Sequence, residues 1–178
     1  MIRLFTAIPL PELVRNQLGL LQSGLQGARW IKPENIHLTL RFVGEVRNDL
    51  ASDIDMALAE ISAPGFELAL DDIGSFSHGK QPHSLWAGVS KSEPLMHLQA
   101  KIESALVRTG LEPETRKFSP HVTIARLKEM RPNRIETWLA DHGGFRTEPF
   151  RVDHFALFSS FLKSEGALYI EEASYPLE

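Results

Sequence analysis

The stretches "HLTL" at 37–40 and "HVTI" at 121–124 repeat one pattern, histidine, aliphatic, threonine, aliphatic, in two distant parts of a 178-residue chain. In a β-strand, side chains at i and i+2 leave the same face, ~6.6–6.8 Å apart along the strand. Each pattern therefore predicts a strand with its histidine and threonine on one face and its aliphatics on the other, turned into a core. Two such strands set side by side would present two imidazoles and two hydroxyls to one groove. Each is preceded by a turn signal, Pro33 and Asn35 before the first and Pro120 before the second.

Outward from the motifs, the pattern alternates between strand and helix. Residues 2–8 read as an opening strand, and 11–25 as a helix with Leu13, Gln17 or Leu18, and Leu21 on one face. Arg29 to Ile31 then lead through the Pro33–Asn35 turn into the first motif strand. A helix is expected over 49–61, with Leu50, Ile54, Ala57, Leu58 and Ile61 as its stripe. Two strands at 66–76 and 83–89 flank a loop at 77–83. A third helix follows over 93–109, then the second motif strand, a short helix at 132–142, and three strands, the last two joined at 163–166. This order predicts an α+β fold in one domain, 1–178, built as two similar lobes of strands with helices.

Composition narrows the chemistry. With 23 acidic and 19 basic side chains the net charge is −4, which does not suit a nonspecific nucleic-acid coat. The basic side chains are nonetheless bunched. Between 116 and 134 stand Arg116, Lys117, Arg126, Lys128, Arg131 and Arg134 against one acid, Glu129. Such a patch attracts phosphate even on an acidic protein, although a solvated face explains most of it equally well. The absence of cysteine removes disulfides, thiolate metal sites and cysteine nucleophiles. The opening residues, interrupted by Pro9 and Pro11, do not read as a signal peptide, and no run reaches the ~18 apolar residues of a membrane span. A cytoplasmic protein is the expectation.

Two imidazoles on one groove suit phosphoryl transfer. Imidazole has an unperturbed pKa of about 6.5, so near neutrality one copy can accept a proton while another donates one. One serves an attacking hydroxyl or water, the other a departing oxygen. Thr39 and Thr123 offer hydroxyl donors to phosphate oxygens, and Arg126 a charged one. A zinc site on His37 and His121 is the weaker alternative, because no acidic residue or second histidine completes a ligand set.

The pair of motifs, with "RLFTAIPLPELV" at the start, "PENIHLTLRFVGEV" around the first and "RKFSPHVTIARL" around the second, resembles the duplicated HxTx signature of the 2H phosphoesterase superfamily. Within it, the chain is similar to the bacterial and archaeal RNA 2′,3′-cyclic phosphodiesterases, also called 2′-5′ RNA ligases, over nearly its whole length. The resemblance implies a bilobal fold with a pseudo-twofold axis, a central cleft lined by the HxTx strands, and a reaction without metal or cofactor. The implied substrate is an RNA end bearing a 2′,3′-cyclic phosphate, tRNA fragments among them, with small cyclic nucleotides as an alternative; neither a membrane nor an obligate protein partner is implied. His37 would be the proton donor to the leaving oxygen and His121 the proton acceptor that activates water. Thr39, Thr123 and Arg126 would hold the phosphate. A 5′-hydroxyl in place of water would give a 2′-5′ linkage.

Arg41 stands where many relatives carry lysine, and strand alternation places it beside His37 and Thr39 as a secondary substrate contact. Phe118 resembles a family position near the nucleobase, where stacking is chemically sensible; a packing role for it is at least as good an account. Trp86 is expected to face the core, and Trp30 and Trp138 to be packing residues. His78 and His83 read as surface histidines on a loop rim, and Asp71 and Asp72 as a strand-to-turn pair. An RNA-end binding module that has lost catalysis is the rival from another class; the four intact motif residues argue against it.

Overall fold

The computed structural model describes residues 1–178. Its elements run β1 (Ile2–Pro9), α1 (Glu12–Gly19), β2 (Arg29–Trp30), a single 3-10 turn (Pro33–Asn35), β3 (His37–Val46), α2 (Asn48–Ala59), β4 (Phe66–Leu68), β5 (Leu70–His78), β6 (Gln81–Val89), α3 (Glu93–Arg108), β7 (His121–Arg126), α4 (Pro132–Asp141), β8 (Phe150–Val152), β9 (His154–Lys163) and β10 (Gly166–Pro176). Two four-stranded sheets, ordered β10-β9-β1-β3 and β2-β7-β6-β5, form the two lobes, and β4 with β8 forms a small third sheet. Every pairing is antiparallel. The expected α+β architecture and its two-lobed arrangement are both present.

The apolar faces explain the assembly. Leu38, Leu40, Val122 and Ile124 turn away from the motif side chains into the core, with Ile54, Leu58, Leu98, Ile102 and Leu106 contributed by α2 and α3. Helix α3 packs on α2 and β3, while α4 packs on β5 and β6. Ser92 caps α3 by accepting a hydrogen bond from the Leu95 backbone N–H, which fixes where that helix begins.

Several expectations need correction. Helix α1 is shorter than its periodicity suggested and turns Val14 and Leu18 inward, leaving Leu13 exposed. The loop expected at 77–83 closes much more tightly, with β5 and β6 continuing into it and turning at Gly79 and Lys80. The segment 29–31 contributes a two-residue strand, β2, too short to leave any periodicity.

Candidate active site

Strands β3 and β7 belong to different sheets and meet where the lobes join. Both motifs are therefore brought to one cleft. His37 and Thr39 on β3, and His121 and Thr123 on β7, are all partly buried, alternating with fully buried aliphatics.

The two imidazoles are held in the same way. His37 Nδ1 lies 2.7 Å from the Asn35 carbonyl oxygen, and His121 Nδ1 lies 2.7 Å from that of Ser119. A carbonyl only accepts, so each Nδ1 carries the hydrogen and each Nε2 is left for the cleft. The carbonyl belongs in both cases to the residue two positions earlier, the turn that delivers the chain to the strand. Asn35 is itself fixed, its side-chain amide donating to the Ala167 carbonyl on β10 (2.9 Å).

Both strands also carry the same irregularity. In the β1–β3 ladder Thr6 opposes Arg41 and Ala7 opposes Thr39, so Leu40 is an extra residue; in the β6–β7 ladder Leu85 opposes Ala125 and Trp86 opposes Thr123, so Ile124 is. Each is a β-bulge at the fourth motif position, and a bulge reverses the in-out alternation beyond it. The bulged carbonyls are satisfied alike: Gln99 donates to Leu40 (3.3 Å) and Gln22 to Ile124 (3.1 Å).

The bulges decide which charged side chains reach the cleft. Arg126, five positions after His121, would fall on the opposite face of a regular strand. The bulge brings it to the motif face, exposed and near enough that its charge acts on His37. For Arg41 the effect is reversed. The alternation that placed it beside Thr39 fails at Leu40, and Arg41 is only 8% exposed. Its Nε donates to Glu103 (2.6 Å), Nη1 to the Phe42 carbonyl and Nη2 to the Glu112 carbonyl (both 2.6 Å). Glu103 also accepts the Glu114 backbone N–H, and Arg41's hydrogen bond holds its carboxyl below the usual range. Arg41 is thus an anchor for the loop leading to the second motif, not a cleft residue. Phe42, 63% exposed, takes the position equivalent to Arg126.

The surroundings of the two histidines differ. His37 stacks on Phe5 (centroids 4.9 Å apart), meets the edge of Tyr169 (5.4 Å) and has Phe158 behind (6.2 Å). Burial here lowers its pKa to about 4; the Asn35 carbonyl opposes this, and the Arg126 charge adds to it. His121 meets Phe76 edge-on (4.8 Å), and Phe76 continues to Trp86 (5.4 Å) and His83 (6.3 Å).

Trp86, expected in the core, stands directly across from Thr123, and therefore on the motif face. Its indole lies over Gly74, where any Cβ would collide with the ring. His78 and His83 stack on each other at 4.2 Å and extend this aromatic row, a role no spacing rule revealed. Burial and the neighbouring charges of His78 and Arg126 lower the pKa of His83. Phe118 is half-buried and packs against the core. Trp30 and Trp138 pack on each other. No group of three or more histidine, cysteine, aspartate or glutamate side chains is placed to hold a metal ion, and no helix is long and apolar enough to cross a membrane.

The model of the 2′-5′ RNA ligase superfamily matches residues 25–160. An RNA 2′,3′-cyclic phosphodiesterase of Thermotoga maritima is 34% identical over 174 residues, covering 94% of this chain and 91% of that protein. One of Aeropyrum pernix is 33% identical over 142 residues, covering 78% of this chain and 80% of its own. Among solved structures, Escherichia coli LigT complexed with 3′-AMP superimposes with a TM-score of 0.82 at 26% identity, covering 99% of this chain and 98% of that one.

Proposed function

Because this chain belongs to the 2′-5′ RNA ligase superfamily, we propose that it is an RNA 2′,3′-cyclic phosphodiesterase, which opens a terminal 2′,3′-cyclic phosphate with water to leave a 2′-phosphomonoester. The observation that carries this reading is the doubled unit of the cleft: two imidazoles with Nδ1 tied to a carbonyl two residues back and Nε2 free. An in-line displacement at phosphorus needs proton transfer at both the entering and the leaving oxygen.

His121 Nε2 takes a proton from water as the water oxygen bonds to phosphorus. The bond from phosphorus to O3′ breaks, its electron pair passes to O3′, and His37 Nε2–H delivers the proton there. Thr39 and Thr123 hydroxyls and the Arg126 guanidinium hold the non-bridging oxygens, whose charge they match. With a 5′-hydroxyl in place of water, the same transfers form a 2′-5′ linkage. The substrates are RNA ends with this group, tRNA fragments included, and small cyclic nucleotides share the reacting atoms.

Burial lowers the His37 pKa to about 4, which leaves the imidazole neutral at neutral pH. The donor role therefore requires that the substrate bring the proton on. A phosphate anion beside the ring favours the charged imidazolium and also screens Arg126, so both influences raise the His37 pKa when the site fills.

Hydrolysis of a short RNA ending in a 2′,3′-cyclic phosphate, in EDTA, tests the proposal. Wild type is expected to make a 2′-phosphate over many turnovers, and His37→Ala and His121→Ala each to lose roughly 10²–10⁴-fold. Binding without turnover would instead favour an RNA-end binding module, and activity abolished by EDTA alone a metal hydrolase.

A further inference from the structure

The short strand β2 places Arg29 directly opposite Arg126. Opposed residues in an antiparallel pair have Cβ atoms ~4.5–5.5 Å apart, and like charges there are destabilising. The next pair shows which way they face. Trp30 opposes Ala125; Ala125 is fully buried and Trp30 packs on Trp138 of α4. Arg29 and Arg126 therefore project from the other side of the sheet, the face of His121 and Thr123. Both are exposed, and neither takes part in any of the six ion pairs of the protein. Two cations are thus held side by side at the cleft margin with no protein carboxylate to offset them.

Resting on the phosphodiesterase reading, we propose that Arg29 is a second anion-binding residue, which receives the internucleotide phosphate adjoining the terminal cyclic phosphate and so makes the cleft favour an RNA strand over a lone cyclic nucleotide. The charge count carries this. A 2′,3′-cyclic mononucleotide with a free 5′-hydroxyl has one negative charge, at the reacting phosphate, and Arg126 matches it. Arg29, one strand further out on the sheet edge, has no counterpart on such a molecule. The next phosphodiester of an RNA strand supplies one, and guanidinium is suited to it by its planar, bidentate donors. A contact of this kind positions the strand without reading its bases.

The test compares kcat/KM for a 2′,3′-cyclic mononucleotide, for a trinucleotide with the same end, and for that trinucleotide with an uncharged methylphosphonate at the adjoining linkage. Wild type, Arg29→Gln and Arg29→Lys are used. In Arg29→Gln the ratio of trinucleotide to mononucleotide is expected to fall roughly tenfold. The salt dependence of log kcat/KM on the trinucleotide should become shallower by about 0.7. The methylphosphonate should lower wild type similarly and Arg29→Gln no further, while Arg29→Lys keeps most of the ratio. An unchanged ratio, or an equal loss on mononucleotide and trinucleotide, would overturn the assignment of Arg29 while leaving the phosphodiesterase reading intact. If wild type turns over none of the three, the phosphodiesterase reading itself falls, and this subsite with it.

Discussion

The two lobes use one backbone device and surround it differently. Each has a turn carbonyl on Nδ1, a strand bulged at the fourth motif position, and a glutamine amide on the bulged carbonyl. Around that shared frame, the first lobe sets Phe5, Phe158 and Tyr169 against its histidine and places Phe42 just past the bulge. The second lobe has Arg126 at the equivalent position, with Arg29 beside it. A common frame fixes where the two Nε2 atoms point, and the filling makes one side apolar and the other cationic.

Removing the aromatic wall should do most to erase the difference between the two lobes. Phe5→Ala deletes a 3% exposed ring that stacks on both His37 and Phe158 and should destabilise the protein by about 3–5 kcal/mol. In the fraction that stays folded, the His37 pKa should rise from about 4 towards 6.5, as read by NMR titration of its ring. If the pKa stays near 4 in a folded variant, the wall is not what lowers it.

The buried His37 imidazole should also affect acid stability, at a smaller scale. A histidine whose folded pKa lies below its unfolded value takes up its proton more readily in the unfolded chain. Its contribution is therefore complete above pH 6.5 and lost as pH falls to about 4. Denaturant melts across that window should show wild type losing up to roughly 3 kcal/mol more than His37→Gln. Equal slopes for the two proteins would remove His37 as the source.

The smallest effect concerns the residue that changed sides. Arg41→Met should cost about 2 kcal/mol by stranding Glu103 and the Glu112 carbonyl. Activity should fall only as far as the loop before His121 loosens. A loss of affinity for substrate with no change in melting temperature would mean that Arg41 reaches the cleft after all.

These side chains also mark where reading the sequence runs out. The motif strands, the extents of α2, α3 and α4, and the three strands after α4 follow from periodicity and punctuation. That Arg41 turns away and Arg126 turns in does not, because a bulge is a property of two strands in register, and β1 and β6 lie far from the motifs in sequence. Arg29 was hidden for a related reason: two residues carry no period, and what makes Arg29 notable is its opposite number across a ladder. Trp86 was placed by Thr123 and Gly74 in the same way. Local pattern picked out the paired histidines and threonines, while the charges around them were set by long-range pairing.

The hydrogen bond from Asn35 to the carbonyl of Ala167 spans 132 residues. It implies an order of events during synthesis. When a ribosome has made the first histidine, that residue's turn has no anchor, and the strands bearing Phe158 and Tyr169 do not yet exist. The sheet of β1 and β3 stays open on one side of β1 until β9 arrives. The second lobe's strands, by contrast, are all available once β7 is made. The chain therefore contains every strand of the second sheet before β9 and β10 are there to complete the first.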